Sequence, residues 1–101
     1  MKKGRIGRIA HFNFRKPKDC ELFLSKLKQE TAELVKEALQ RTVISVDEKS
    51  VILFAIYATE RDADIVLNRI RPWMQKWRED DTMETITISG DLAINELRYS
   101  Q

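Results

Sequence analysis

His11 is the single histidine of the chain, so it is the one side chain whose ordinary pKa lies near neutrality and the natural candidate for moving a proton. Asn13 stands two residues on, a spacing that puts both side chains on the same face of a strand. These two are the candidate catalytic residues, an imidazole to take a proton and an amide to help stabilise the anion left behind. A histidine hydrogen-bonded at a strand surface is the structural alternative. Tyr57, Trp73 and Trp77 are candidate ligand-pocket residues, because their rings suit an aromatic or apolar guest; the same rings would also serve as core or interface anchors. For haem, His11 would be the only usual imidazole ligand, and no cofactor is predicted. One histidine and the lone Cys20 do not supply the three or four ligands of a zinc site, so no metal site is predicted either. Gly4 and Gly7 are too few and precede a strand, which excludes a phosphate-cradling loop, and no Ser-His-Asp arrangement has local support.

The elements that must position these residues follow from periodicity. Arg5 to Phe14 alternates as a strand, with Ala10, Phe12 and Phe14 on the core face and Ile9, His11 and Asn13 on the other. After the breaker Arg15-Lys16-Pro17-Lys18, Asp19 is a plausible N-cap for a helix to about Leu39, with Phe23, Leu24, Leu27, Thr31, Leu34, Val35 and Ala38 as its buried stripe. Thr42 to Val46 is β-branched, and Asp47-Glu48-Lys49-Ser50 has hairpin length. Val51 to Ala58 then runs apolar or aromatic without interruption, which demands a strand covered on both faces. Thr59 with Asp62 approximates a capping box. The helix it opens carries Ala63, Leu67, Ile70, Met74 and Trp77 at steps of four and three, with Pro72 expected to bend or restart it. A last strand alternates Ile86, Ile88, Leu92 and Ile94 with Thr85, Thr87, Ser89 and Asp91, and Gly90 allows a bend or bulge. Ser45, Thr85, Thr87 and Ser89 are then expected to join His11 and Asn13 on the strand faces opposite the core.

Strand, helix, strand, hairpin, strand, helix, strand is the split βαβ, ferredoxin-like order: an α+β fold with a four-stranded antiparallel sheet and two helices on one face. One domain covers residues 1–101, with its core at about 5–94 and a short polar tail at 95–101. The apolar run becomes the third, central strand. The helix-free face should carry either Ile52, Phe54 and Ile56 or the alternating set Val51, Leu53, Ala55 and Tyr57, too much apolar surface for a comfortable monomer. Ile52, Phe54 and Ile56 are the candidate dimer interface, and the expected partner is a second copy of the chain.

Ile56-Tyr57-Ala58-Thr59-Glu60 leading from strand to helix, Arg71-Pro72-Trp73 within that helix, and Glu84-Thr85-Ile86-Thr87-Ile88-Ser89-Gly90-Asp91 in the last strand resemble the dimeric α/β barrel group, especially proteins similar to the antibiotic biosynthesis monooxygenase family. The resemblance implies a homodimer with a cavity between sheet and helices. It points to a small-molecule-binding protein or a cofactor-independent monooxygenase-like enzyme, its members also including haem-degrading and dismutase-like enzymes and many proteins of no established activity. A non-enzymatic interaction or sensing dimer is the alternative.

Charge bounds the partners. Residues 1–18 carry seven basic side chains and no acid, although the net charge is only +2. Such an edge could meet nucleic acid or another anion, but a solvated, aggregation-resistant edge accounts for it better. An RNA-recognition domain shares the element order, but the third strand lacks the Arg/Lys-Gly-aromatic motif, which argues against nucleic acid. No apolar run approaches the ~18 residues of a membrane span, so a soluble, cytoplasmic protein is the expectation.

Overall fold

The computed structural model describes residues 4–79 and 82–93. Its elements run β1 (Ile6–Phe14), α1 (Pro17–Glu30), a 3-10 turn (Glu33–Val35), β2 (Ala38–Asp47), β3 (Ser50–Tyr57), α2 (Glu60–Arg78) and β4 (Met83–Asp91). The sheet order is β2-β3-β1-β4 with every neighbour antiparallel. This is the ferredoxin-like fold, with the apolar strand β3 in a central place as its composition requires.

Register assigns the faces. Phe12 pairs with Val51 and Thr85, Ala10 with Leu53 and Thr87, and Arg8 with Ala55 and Ser89. These share one face, and both helices pack there: Phe12, Phe14, Val51 and Met83 meet Cys20, Phe23 and Leu27 of α1 and Trp73 of α2. Ile6, Ala55 and Tyr57 meet Ala63 and Val66 of α2. Burial pushes the Cys20 thiol pKa up, with Asp47 adding to the effect, so Cys20 behaves as a small core residue.

Three local readings are corrected. The first helix stops at Glu30, not near Leu39, and it begins at Pro17 with no side-chain cap from Lys16, so Asp19 lies inside its first turn. Thr31 closes the helix, its buried hydroxyl donating to Leu27 O at 2.5 Å. The residues from Ala38 onward are drawn instead into pairing with Tyr57, Ile56 and Ala55. Strand pairing there outweighs a helical spacing that persists past the helix. The second helix begins as expected, with Asp62 N–H bonded to Thr59 Oγ1 at 3.1 Å, and of the two outcomes expected at Pro72 the restart does not occur, since one helix continues through this exposed proline. Gly90 pairs straight across to Gly7 with no bulge. The irregularities fall in β2, where Leu39 and Val46 are left over between paired residues and stand about half exposed. Ile94 and the tail 95–101 lie outside the described residues.

The hairpin is tighter than its sequence suggested, because only Glu48 and Lys49 separate the strands and Lys49 N–H bonds to Asp47 Oδ1 at 2.8 Å. Between α1 and β2 the chain is tied to α2 by Arg69, which grips both oxygens of Glu37 at 2.7 and 2.9 Å and donates to Leu34 O at 3.3 Å. That hydrogen bond holds the Glu37 carboxyl below the usual carboxylate range, against partial desolvation. A depressed folded pKa stabilises above the unfolded value, and the contribution disappears as pH falls through the folded one. Glu37→Gln is therefore expected to lower Tm at neutral pH and to reduce the loss of Tm that the wild type shows on going down to about pH 3. Thermal melts of the two proteins at matched concentration check this.

Candidate functional site

The strongest site lies between the sheet and α2, not around His11. Arg8, Ala10 and Phe12 from β1, Arg41 from β2, Leu53, Ala55 and Tyr57 from β3 and Thr85 and Thr87 from β4 form its floor. Leu27 of α1, Val35 and the α2 residues Val66, Leu67, Ile70, Met74 and Arg78 form its roof. The cavity measures about 90 Å³, several times the ~10–15 Å³ that one water needs on the same measure. Its walls are mainly apolar, as small-molecule sites are.

The polar groups that enter it are few. Arg8 and Arg41 flank Ala55 in a single row across the sheet, each being its cross-strand partner. Arg8 Nη1 donates to Ala63 O at 3.1 Å, and its guanidinium sits 5.9 Å from the centre of the Tyr57 ring. Arg41 Nη1 donates to Thr31 Oγ1 at 2.7 Å. Burial lowers the Arg41 pKa from its ordinary value, yet an arginine remains a cation in proteins. Burial raises the pKa of the Tyr57 phenol, with Arg8 and Arg41 pulling the other way, so the hydroxyl is a neutral donor. Thr85 Oγ1 is buried and has no hydrogen-bond partner, an uncommon state that ordinarily costs about 1–3 kcal/mol unless water or a ligand relieves it.

The remaining candidates lie elsewhere. His11 and Asn13 sit on the helix-free face, joined through Ser50, whose hydroxyl donates to Asn13 Oδ1 at 3.1 Å and lies 2.8 Å from His11 Nε2. With that proton committed to Asn13, Ser50 Oγ accepts from His11. The pair is thus satisfied locally, and His11 offers no imidazole to a group held in the cavity. Ser45, Thr85, Thr87 and Ser89 occupy the helix side, opposite the face expected for them, since Ser45 pairs with Val51 and the other three align with Phe12, Ala10 and Arg8. Trp73 and Trp77 pack around Phe23 at 5.6 and 5.3 Å between ring centres, and Trp73 Nε1 donates to Glu30 at 2.9 Å. Of the three aromatic pocket candidates, Tyr57 alone lines the cavity. Among the described residues no cluster of His, Cys, Asp or Glu could hold a metal ion.

Arg8, Arg41 and Arg78 escaped the sequence reading. A signal existed for Arg8, which is in phase with Ala10, Phe12 and Phe14 and so had to point inward.

The helix-free face carries the second feature. Ile52, Phe54 and Ile56 all lie on it, paired with His11, Ile9 and Gly7. Ile56 is already buried at 4% exposure, whereas Ile9, Ile44, Ile86 and Ile88 on the same face are 41–65% exposed. The alternating set Val51, Leu53, Ala55 and Tyr57 faces the helices.

No protein-family model matches the sequence, and no curated protein matches it. Solved structures match the fold. A dimeric ferredoxin-like protein from an uncultured marine organism is similar at a TM-score of 0.75 and 14% identity, over 93% of this chain and 100% of the other. A putative antibiotic biosynthesis monooxygenase from Nitrosomonas europaea gives 0.73 and 15%, over 92% and 94%. A mutant of SnoaB, a cofactor-independent oxygenase from Streptomyces nogalater, gives 0.70 and 11%, over 91% and 96%. Among the described residues no helix is long and apolar enough to cross a membrane.

Proposed function

We propose that the chain works as a face-to-face homodimer in which each protomer binds a small, mainly apolar molecule between its sheet and helices. The observation that carries the binding is the cavity itself, apolar walled and lined by Thr85, whose buried hydroxyl has no partner in the fold. The dimer is supported by the exposed isoleucines of the helix-free face and by a structural neighbour described as dimeric. A second copy would cover such a face across a two-fold axis, the commonest symmetry of homo-oligomers. Among the described residues the exposed large apolar side chains of that face are aliphatic, not the aromatic platform of an RNA-binding sheet.

The test is binding of a fluorescent aromatic probe, 2-naphthamide, to the full chain. Saturable binding is expected, and Leu67→Trp, which fills the cavity from α2, should weaken it at least about tenfold while the far-UV spectrum stays unchanged. Equal binding to the variant would place the probe elsewhere and end this reading.

Cofactor-independent oxygenation is the second reading, favoured by the guanidinium groups of Arg8 and Arg41, which would stabilise the electron-rich anion that reacts with O2. The described lining has no carboxylate or imidazole, so the substrate would have to be acidic enough to arrive ionised. Oxygen uptake with an easily ionised hydroxynaphthalene, above the uncatalysed rate and lost in Arg41→Gln, separates an oxygenase from a binding or sensing dimer.

A further inference from the structure

We propose that the cavity selects an organic oxyanion, a carboxylate or an ionised phenol or enol on an apolar body, with its charged end between Arg8 and Arg41. This rests on the small-molecule reading above and names its ligand class.

The geometry of one row of the sheet carries the inference. Arg8 and Arg41 stand on either side of Ala55, and strands lie about 4.8 Å apart, so the two backbones are separated by roughly 10 Å. Ala55, with only a methyl group, leaves the space between the two side chains open at its floor. Neither guanidinium is neutralised within the cavity. Arg41 bonds to the neutral Thr31 hydroxyl. Arg8 lies 3.9 Å from Asp64, whose side chain is 62% exposed, too loose and too wet to cancel a charge inside. Arg78 adds a third cation to the lining, and among the described residues no Asp or Glu belongs to it. Guanidinium groups carry five N–H donors in a planar fork that matches a carboxylate. Tyr57 adds a neutral hydroxyl at the same end.

The far end supplies orientation. Thr85 pairs with Phe12, four residues along β1 from Arg8, or about 14 Å at strand rise. Its buried hydroxyl, without a partner in the fold, would meet a hydroxyl or carbonyl at the end of the ligand remote from the charge once the side chain rotates toward the cavity that Thr85 lines. Ala10, Leu53, Leu67 and Ile70 line the stretch between.

The experiment compares 2-naphthoate with uncharged 2-naphthamide, which share shape, by titration of the full chain. We expect naphthoate to bind at least tenfold more tightly. Arg41→Gln, which can still donate to Thr31, should abolish that preference while leaving naphthamide affinity unchanged, and Arg41→Lys should restore part of it. Arg71→Gln, exposed on α2 and outside the cavity, should alter neither. Equal binding of the two probes to the wild type, or a preference that survives Arg41→Gln, overturns the oxyanion assignment. In that case cavity binding stands if Leu67→Trp still blocks naphthamide. Failure of both probes to bind overturns both readings.

Discussion

Ile88→Asp is expected to convert the dimer to a folded monomer. At about 10 µM, a concentration at which a nanomolar dimer is fully assembled, the wild type should scatter light as a particle of twice the 11.9 kDa chain mass and the variant as a single chain. Ile88 is 65% exposed in the protomer, so a carboxylate there is hydrated in the monomer and disturbs no packing. In a two-fold interface it is buried twice, once from each copy, and burying an unpaired ion costs several kcal/mol each time.

The exposed parts of Ile9, Ile44, Ile86 and Ile88 add up to roughly two whole isoleucine side chains per protomer, worth about 3–6 kcal/mol if covered. Two protomers double that, which is comparable to the ~4–15 kcal/mol lost in association. The half-buried Ile52 and Phe54 supply the surplus. A penalty of two buried carboxylates exceeds any such surplus, so the dissociation constant should rise by more than about 10⁵-fold, which carries a nanomolar dimer well above ~10 µM. Leu22→Asp, at an exposed leucine of α1 on the helix side, should leave the mass unchanged. A wild type that is monomeric at this concentration, or an Ile88→Asp protein that remains dimeric, would refute the interface.

The fold was legible because its signals were local and period-bound. An uninterrupted apolar run of eight residues between polar turns suits a central strand, and the alternation of Ala10, Phe12 and Phe14 named the core face of β1. What local pattern cannot supply is phase between strands. Thr85 and Ile86 are both good β formers, so hydrophobicity alone assigns isoleucine to the core. The pairing of Phe12 with Thr85 reverses that assignment, sending Ile86 and Ile88 outward and the threonines into the cavity. The same reversal explains why the site was read only in part. Aromatic type alone points to Tyr57, whereas the run of basic residues over 1–18 masks the inward phase of Arg8 by resembling a solvated edge. Arg41 preceded the recognised strand because the helical spacing at Leu34, Val35 and Ala38 concealed where that strand begins.

Phe23→Ala is expected to have the largest effect on stability, and it separates the aromatic cluster from the cavity. Phe23 is fully buried, with ring centres of Phe12, Phe14, Trp77 and Trp73 at 4.9, 5.1, 5.3 and 5.6 Å. It is the point where α1, α2 and β1 meet, so its removal leaves a void that no single element can close. Such truncations cost about 3–5 kcal/mol, a large part of the ~5–15 kcal/mol that holds a domain of this size together. Tm should fall by roughly 15–30 °C, measured at fixed protein concentration because dissociation contributes to the melt. A fall below about 5 °C would mean that the ring is not the keystone its contacts describe. Trp77→Ala, at the half-buried margin of the cluster, should lower Tm less and leave the affinity for 2-naphthoate unchanged. If the tryptophans caged the ligand the order would reverse, with affinity lost and Tm little altered. Because Trp73 and Trp77 are 5.8 Å apart and both pack on Phe23, they brace the helices whose α2 residues roof the cavity, and their contribution to binding passes through the fold.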